Sequence, residues 1–191
     1  MRRAWPLRSA WPWLALAAVT AAAMLQLHRQ GRLWSCACGR VLLWSGDAWS
    51  ADNSQHLFDP YSFTHILHGF LFCGLLSWLL PRVPWVWRLA LAISIEAVWE
   101  VFENSAFVIN RYRETTLALG YTGDTVINSF GDMVACGLGF MLARRLGLRR
   151  ALLIFLLTEI ALVIWIRDSL LLEILMLIYP VEAIKAWQMS H

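Results

Sequence analysis

The chain has 191 residues, of which 59% are hydrophobic and 15% are charged, and its formal net charge is +3 at pH 7. This is the composition of a membrane protein, and the length suits one compact helical domain over residues 1–191. The small positive charge excludes nucleic acid as a partner, because the arginines cluster at the ends of apolar runs.

The apolar runs predict an all-α fold, a polytopic membrane helical bundle with about five transmembrane helices. The predicted spans are residues 11–27, 61–80, 85–109, 124–142 and 151–166. Arg2, Arg3 and Arg8 precede the first run. We interpret that run as a retained span and not as a cleaved signal peptide, because it continues through Leu27.

The connections and the tail differ from the runs in length and polarity. Residues 28–61 form a long polar connection that holds Cys36 and Cys38 in the motif C-A-C-G. This motif is compatible with a metal-binding pair or with a disulfide. The apolar tail at 169–179 is too short to span a bilayer, so we predict a C-terminal interfacial or re-entrant helix there.

The distribution of basic residues predicts how the spans are oriented. Nine arginines lie in short segments on the side of the N-terminus, whereas seven basic residues are diluted over the longer opposite loops. The nine are Arg2, Arg3, Arg8, Arg82, Arg88, Arg144, Arg145, Arg149 and Arg150. By the positive-inside rule the N-terminus is cytoplasmic and the C-terminus is on the outer, periplasmic side.

The third run is apolar but carries three carboxylates. Glu96, Glu100 and Glu103 are spaced i, i+4 and i+7, so they share one face of a helix. A charge at the centre of a bilayer costs roughly 3 kcal/mol on insertion scales. These side chains must therefore face a protein interior that supplies partners.

Polar residues of the other spans are predicted to meet this face in the outer leaflet. Span two contributes histidines at i and i+3, and span four contributes polar residues at i, i+4 and i+8. The predicted outer layer is His65, His68, Glu100, Glu103, Asp124 and Asn128, and the deeper layer is Glu96, Asp132 and Glu159. Because the inner halves of spans two, four and five lack ionisable residues, we predict a pocket open to the periplasmic leaflet.

Each of these residues has a predicted role. The candidate metal ligands are His65, His68, Glu103 and Asp124, a set of donors that suits zinc or manganese. Glu100 is the candidate catalytic general base, acting on a bound water. The candidate ligand-binding residues are Glu96, Asn128 and Asp132, with Arg111 and Arg113 placed to meet an anionic headgroup.

Plain structural roles remain open for several of them. Asp124 fits the N-cap of span four equally well. Asn128 and His68 fit hydrogen bonds between helices. Glu159 fits a lone, protonated carboxyl group.

Several motifs carry a resemblance to a known family. They are C-A-C-G at 36–39, S-Q-H-L-F-D-P-Y-S-F at 54–63, H-I-L-H-G-F at 65–70, E-A-V-W-E-V-F-E-N at 96–104 and Y-T-G-D-T-V-I-N-S at 121–129. With them the chain resembles the uncharacterised integral inner-membrane proteins of alphaproteobacteria, and more faintly the VanZ-like membrane proteins. The resemblance implies a multi-pass protein of the cell inner membrane and assigns no activity. Glu173 departs from it, since a neutral polar residue is typical there.

Three functions remain as alternatives. The first is the binding of a lipid-like or small ligand, with or without a divalent metal ion as cofactor. The second is a metal-dependent hydrolase or transferase that acts on a lipid-linked substrate. The third is a proton-coupled transporter with Glu96, Asp132 and Glu159 as its relay, against which the apolar inner half counts. Membrane lipids are the expected partners, and the sequence does not identify a protein partner.

Overall fold

The computed structural model describes residues 10–115 and 121–190, so that Arg2, Arg3 and Arg8 lie outside the described residues. Within these ranges the chain is all-helical, as predicted, apart from one isolated bridge between Trp44 and Phe58. The helices are α1 (Trp11–Arg29), α2 (Ser62–Leu79), α3 (Trp85–Glu103), α4 (Ala106–Thr115), α5 (Val126–Leu146), α6 (Leu148–Ile166), α7 (Leu170–Ile178) and α8 (Glu182–Met189).

The centre of the bundle is the close crossing of α2 and α5. Gly69 of α2 has no room for a Cβ atom, which would collide with the backbone of Cys136 and Phe140. Gly139 of α5 is equally close to the backbone of Ile66. Small residues at such crossings let two helices touch through their backbones. This contact brings the polar faces of the two helices to a fixed separation.

The end of α3 and the start of α5 differ from the sequence prediction. The helix expected over 85–109 ends at Glu103, and a new helix begins at Ala106. The helix breaks because the Asn104 side chain is committed to a contact with the start of α5. That start is capped by Thr125, whose side chain accepts from the N–H of Asn128, and Asp124 is not the cap.

The connection at 30–61 lies over the start of α5. Two N–H groups in the first turn of α5 donate to it, Val126 to the Leu33 carbonyl at 2.8 Å and Ile127 to the Trp34 carbonyl at 3.1 Å. The first turn of a helix leaves such groups without partners inside the helix, so the connection supplies what the helix lacks. Within it, Cys36 and Cys38 are joined by a disulfide.

The C-terminal residues form two short helices. Ser169 caps α7 by accepting from the N–H of Leu172. Helix α7 ends at Ile178, so it lies within the apolar tail predicted at 169–179. Helix α8 was not predicted from the sequence. Neither helix is as long as the roughly 20 residues that cross a bilayer.

Two of the described helices, Ser62–Leu79 and Val126–Leu146, are long and apolar enough to cross a membrane. They are also the two central helices, with 44% and 61% of their apolar windows buried. Core helices of soluble proteins share these properties. Length and composition are therefore a weak indication of membrane association.

The α2–α5 crossing yields a stability prediction. Gly69→Ala should destabilise the protein by roughly 1–3 kcal/mol, because the added methyl group meets backbone that cannot rotate away. The measurement is thermal unfolding of the purified protein in detergent.

Gly74→Ala is the matched control on the same helix, since nothing lies within 4 Å of a Cβ atom there. It should be neutral or stabilising by up to about 1 kcal/mol, as alanine favours a helix over glycine. Equal effects of the two substitutions would contradict the close crossing.

Candidate functional site

His65 lies at the centre of a cluster of carboxylates. Its Nδ1 atom is 2.5 Å from Glu96 Oε1 and 3.3 Å from Glu100 Oε1, both on α3. Its Nε2 atom is 3.9 Å from Asp132 Oδ2 on α5. The side chain is 8% exposed. One imidazole thus meets acidic groups from two helices inside the bundle.

Glu96 is shared between the two histidines of α2. His68 lies about one turn after His65, and its Nδ1 atom is 3.1 Å and 3.0 Å from the two Glu96 oxygens. An ionised carboxylate only accepts hydrogen bonds, so both Nδ1 atoms donate to it when each carries a proton. The i, i+3 spacing of the histidines thus aims both rings at one glutamate, Glu96, which the sequence prediction had placed in a deeper layer than the histidines.

Glu100 receives no such partner. It is fully buried, and neither of its carboxylate oxygens has a hydrogen-bond partner among the described residues. The Nδ1 atom of His65 is directed at Glu96, whose oxygen is 0.8 Å closer than that of Glu100. Leaving a buried acceptor without a partner costs about 1–3 kcal/mol, and more for a charged one. The ionised form of Glu100 is therefore energetically unfavourable in this arrangement.

Asp124 is held by neutral partners. Asn104 Nδ2 donates to its Oδ2 atom at 2.7 Å, and the Tyr121 hydroxyl donates to Oδ1 at 2.7 Å. Its own N–H donates to Asn104 Oδ1 at 2.7 Å. This reciprocal pair joins the end of α3 to the start of α5.

Asn128 connects α5 to the polar connection. Its Nδ2 atom donates to the His56 carbonyl at 2.8 Å and to Asp59 Oδ2 at 3.2 Å. Asp59 also accepts from the N–H groups of Ser54 at 2.9 Å and Tyr61 at 2.8 Å. Burial raises the pKa of the Asp59 carboxyl above its ordinary value, and these hydrogen bonds oppose that shift.

A cavity of about 380 Å³ opens beside His65 and His68. Its wall is acidic and aromatic, with Trp49 and Trp99 and with Tyr61, Tyr112 and Tyr121. Among the described residues that line it there is no lysine or arginine. The carboxyl groups that line it are Asp59, Glu103, Asp124, Asp132, Asp168 and Glu173.

Three of these carboxyl groups were not predicted as site residues. Asp59 and Asp168 lie in connections, and Glu173 lies on the short helix α7. Only tertiary packing brings them to the cavity, so helical spacing carries no signal for Asp59 or Asp168. The one available signal was Glu173, a lone charge within the apolar run of α7.

Other predicted site residues have structural partners. Arg111 Nε donates to the Leu177 carbonyl at 3.0 Å, near the end of α7, and Arg113 Nε donates to the Tyr121 carbonyl at 2.5 Å. Neither arginine is among the described lining residues. Glu159 accepts from the first N–H groups of α7, at 3.1 Å and 3.2 Å, which accounts for its buried carboxylate.

Three groups of side chains in the described ranges could hold a metal ion, each with its ligand atoms within 4.8 Å of one another. Two share His65: one adds His68 and Glu96, and the other adds Glu100 and Glu103. Three of the four predicted ligands thus fall in these groups, and Asp124 falls in none. The third group is Cys36, Cys38, Asp52 and His56.

Comparison with known proteins gives a family without an assigned activity. The family described as "Protein of unknown function (DUF2585)" matches residues 27–190. A UPF0314 protein of Rhizobium meliloti is 46% identical over 92% of this chain and 89% of its own length. One of Sinorhizobium fredii is 48% identical over 95% and 92%, and one of Sphingopyxis alaskensis is 46% identical over 92% and 94%. No solved structure matches the chain. The likeness to VanZ-like proteins stays a prediction.

Asp168 generates a prediction for pH dependence. Burial raises the pKa of this carboxyl from 3.8 to about 7. Between these values the folded protein holds a proton that the unfolded chain has lost, so stability falls as the pH rises towards 7. Asp168→Asn removes this loss. It should raise the unfolding temperature more at about pH 8 than at about pH 5.

The control is Glu182→Gln, which changes an exposed carboxyl group on α8. It should shift the unfolding temperature equally at the two pH values. A pH-independent effect of Asp168→Asn would contradict a buried, protonated Asp168.

Proposed function

The chain belongs to the DUF2585 family of proteins of unknown function, and from its site we propose that it is an inner-membrane protein that binds a cation in an acidic cavity. A divalent metal ion is the best candidate for the cation. The rest of the cavity takes a lipid-like or other small ligand from the periplasmic leaflet.

The observation that carries this proposal is the buried carboxyl group of Glu100, which has no hydrogen-bond partner among the described residues. Its two oxygens are buried without hydrogen bonds, and the adjoining cavity has six carboxyl groups in its described lining but no fixed cation. Removing a carboxylate from water is expensive unless a counter-charge or a proton accompanies it. A bound cation supplies the missing charge.

The distances from His68 to Glu96 and from His65 to Glu100 support a metal ion beside these side chains, whereas the 2.5 Å between His65 and Glu96 is that of a hydrogen bond. Ligand atoms roughly 2.1 Å from one ion lie about 3 Å from each other. His68 Nδ1 is 3.0 Å and 3.1 Å from the Glu96 oxygens, and His65 Nδ1 is 3.3 Å from Glu100 Oε1. Imidazole with carboxylate donors suits zinc or manganese. The ion would replace the protons on the histidines, so binding releases protons.

The size and charge of the cavity indicate the second ligand. A volume of about 380 Å³ exceeds what an ion needs and lies within the range of small-molecule sites. Because Arg111 and Arg113 donate to backbone carbonyls, an anionic headgroup has no support from them. The acidic and aromatic wall favours a ligand with a neutral or cationic head.

The exposed surface supports a membrane location. Five helices, α1, α2, α3, α5 and α6, have 18 to 21 residues, near the length that crosses a bilayer. In α3 the charges of Glu96 and Glu100 are buried, whereas Val98 is 71% exposed. Along α6 the exposed side chains include Leu152, Leu153, Leu156, Leu157, Ile160 and Ile164. An apolar surface of this extent is suited to lipid.

The disulfide supports the proposed orientation. Cys36 and Cys38 lie in the connection between α1 and α2, which the arginine distribution places outside the cytoplasm. Disulfides persist in oxidising compartments such as the periplasm. An N-terminus in the cytoplasm and the cavity on the periplasmic side fit this pairing.

Metal-dependent hydrolysis is the second candidate function. Glu103 lines the cavity, belongs to the same potential ligand group as His65 and Glu100, and has one oxygen buried without a hydrogen bond. A carboxylate in this position is suited to orient a water molecule on the ion. Glu100 is not among the described lining residues, so Glu103 is the better placed of the two for the general base.

The cation proposal is tested by Glu100→Gln, which keeps the shape of the side chain and removes its charge. The wild type should purify with a bound divalent ion, which elemental mass spectrometry detects. Its unfolding temperature should fall when a chelator is added. An ion at a hundred times its dissociation constant contributes about 2.7 kcal/mol. Glu100→Gln should lose the ion and its sensitivity to chelator.

Glu114→Gln, at an exposed glutamate of α4, is the matched control and should retain the ion. A wild type indifferent to chelator, together with a Glu100→Gln protein of equal or higher stability, would leave the carboxylates a purely structural role.

The orientation is tested by reporter fusions along the chain. A fusion at Arg145 should report a cytoplasmic location, and fusions at Gly46 and Arg113 should report a periplasmic one. The reverse pattern would move the cavity to the cytoplasmic leaflet.

A further inference from the structure

A second group of potential metal ligands lies in the connection between α1 and α2. The donor atoms of Cys36, Cys38, Asp52 and His56 are all within 4.8 Å of one another. None of these four residues is among those that line the acidic cavity. The group combines two sulfur atoms, an imidazole and a carboxylate.

His56 provides an independent indication of a missing partner. Its side chain is fully buried, and its Nε2 atom has no hydrogen-bond partner among the described residues. The nearest acidic group is Asp52, whose Oδ1 atom is 3.7 Å from Nε2 and too distant for a hydrogen bond. A buried ring nitrogen without a partner, in a group whose donor atoms lie within 4.8 Å of one another, is a candidate metal ligand.

We propose that, when Cys36 and Cys38 are reduced, these four side chains bind a thiophilic divalent ion such as zinc. Two thiolates, one imidazole and one carboxylate complete a tetrahedral set, and sulfur and nitrogen donors select zinc over magnesium or calcium. The disulfide is then the metal-free, oxidised state of the same site.

Binding requires one local change at the histidine. His56 Nδ1 now accepts from the N–H of Leu42 at 3.3 Å, so the ring proton belongs to Nε2. Coordination through Nε2 moves the proton to Nδ1, and the Leu42 N–H must turn away. A hydrogen bond of 3.3 Å is longer than the usual range and is among the weaker ones to lose.

The exchange between the two states is a two-electron reaction. A disulfide of a second molecule accepts two electrons from the two thiolates. The Cys36–Cys38 bond forms, the acceptor disulfide leaves as two thiolates, and the divalent ion dissociates with its charge unchanged. Reduction by a dithiol reverses each of these steps.

The ion would also fix the wall of the acidic cavity. Most of the segment from Ala48 to Gln55 lines that cavity, and Asp52 and His56 lie within and just after it. A metal bond from these two residues to Cys36 and Cys38 clamps this segment to the start of the connection. The redox state of the cysteines thereby sets how firmly the cavity is covered.

Cobalt(II) binding to the full-length protein in detergent tests the proposal. Thiolate-bound cobalt has a near-ultraviolet charge-transfer absorption that cobalt on nitrogen and oxygen ligands lacks. The band of the reduced wild type should saturate at one thiolate-bound cobalt ion per chain, whatever binds at the carboxylate site, and the oxidised wild type should not show the band. His56→Ala should weaken cobalt binding by at least about tenfold, the loss that even outer-shell changes cause.

His65→Ala is the control that separates this site from the one around Glu96, and it should retain the band. A reduced wild type without the band at saturating cobalt would overturn the proposal. Retention of the band in a Cys36→Ser, Cys38→Ser double variant would assign the sulfur to Cys73 or Cys136 and overturn it as well. The comparison of oxidised and reduced wild type needs no variant to fold.

Discussion

The carboxylate of Glu96 accepts from two histidines of one helix, and the arrangement of the polar centre depends on this contact. It aligns α2 with α3, and the glycines of the α2–α5 crossing then bring Asp132 to the other side of His65. With both Nδ1 atoms directed at Glu96, Glu100 has no hydrogen-bond partner in the described part of the chain. Glu96, which has hydrogen-bond partners, and Glu100, which has none among the described residues, lie four residues apart on one face of α3. The same geometry explains both.

Much of this centre could be predicted from spacing alone. Helical periodicity put Glu96, Glu100 and His65 on faces that meet, and the apolar runs located the long helices to within a few residues. Spacing could not reveal the break at Asn104, because its cause is a contact with Asp124, twenty positions away. Nor could it place Asp168 or Glu173, which reach the cavity only after α7 has packed against the bundle.

Several charged residues that were predicted from the sequence to be functional make structural hydrogen bonds instead. Glu159 accepts from the first N–H groups of α7, and Arg111 donates to a carbonyl near its other end. These are the favourable ends for each sign of charge, since a helix is electropositive at its N-terminus and electronegative at its C-terminus. Glu159 and Arg111 thus hold the two ends of the short apolar helix α7, and these contacts use the hydrogen-bonding groups that a ligand would need.

The backbone contact at Gly69 and Gly139 also restricts how a ligand can enter. Two helices that touch through their backbones have no side-chain layer to compress, so they cannot separate or slide in small steps. Passage into the cavity therefore involves its other walls, among them the segment from Ala48 to Gln55 and the helix that carries Glu173. The α2–α5 pair is the fixed part of the cavity wall, and the parts that can move are the segments packed around it.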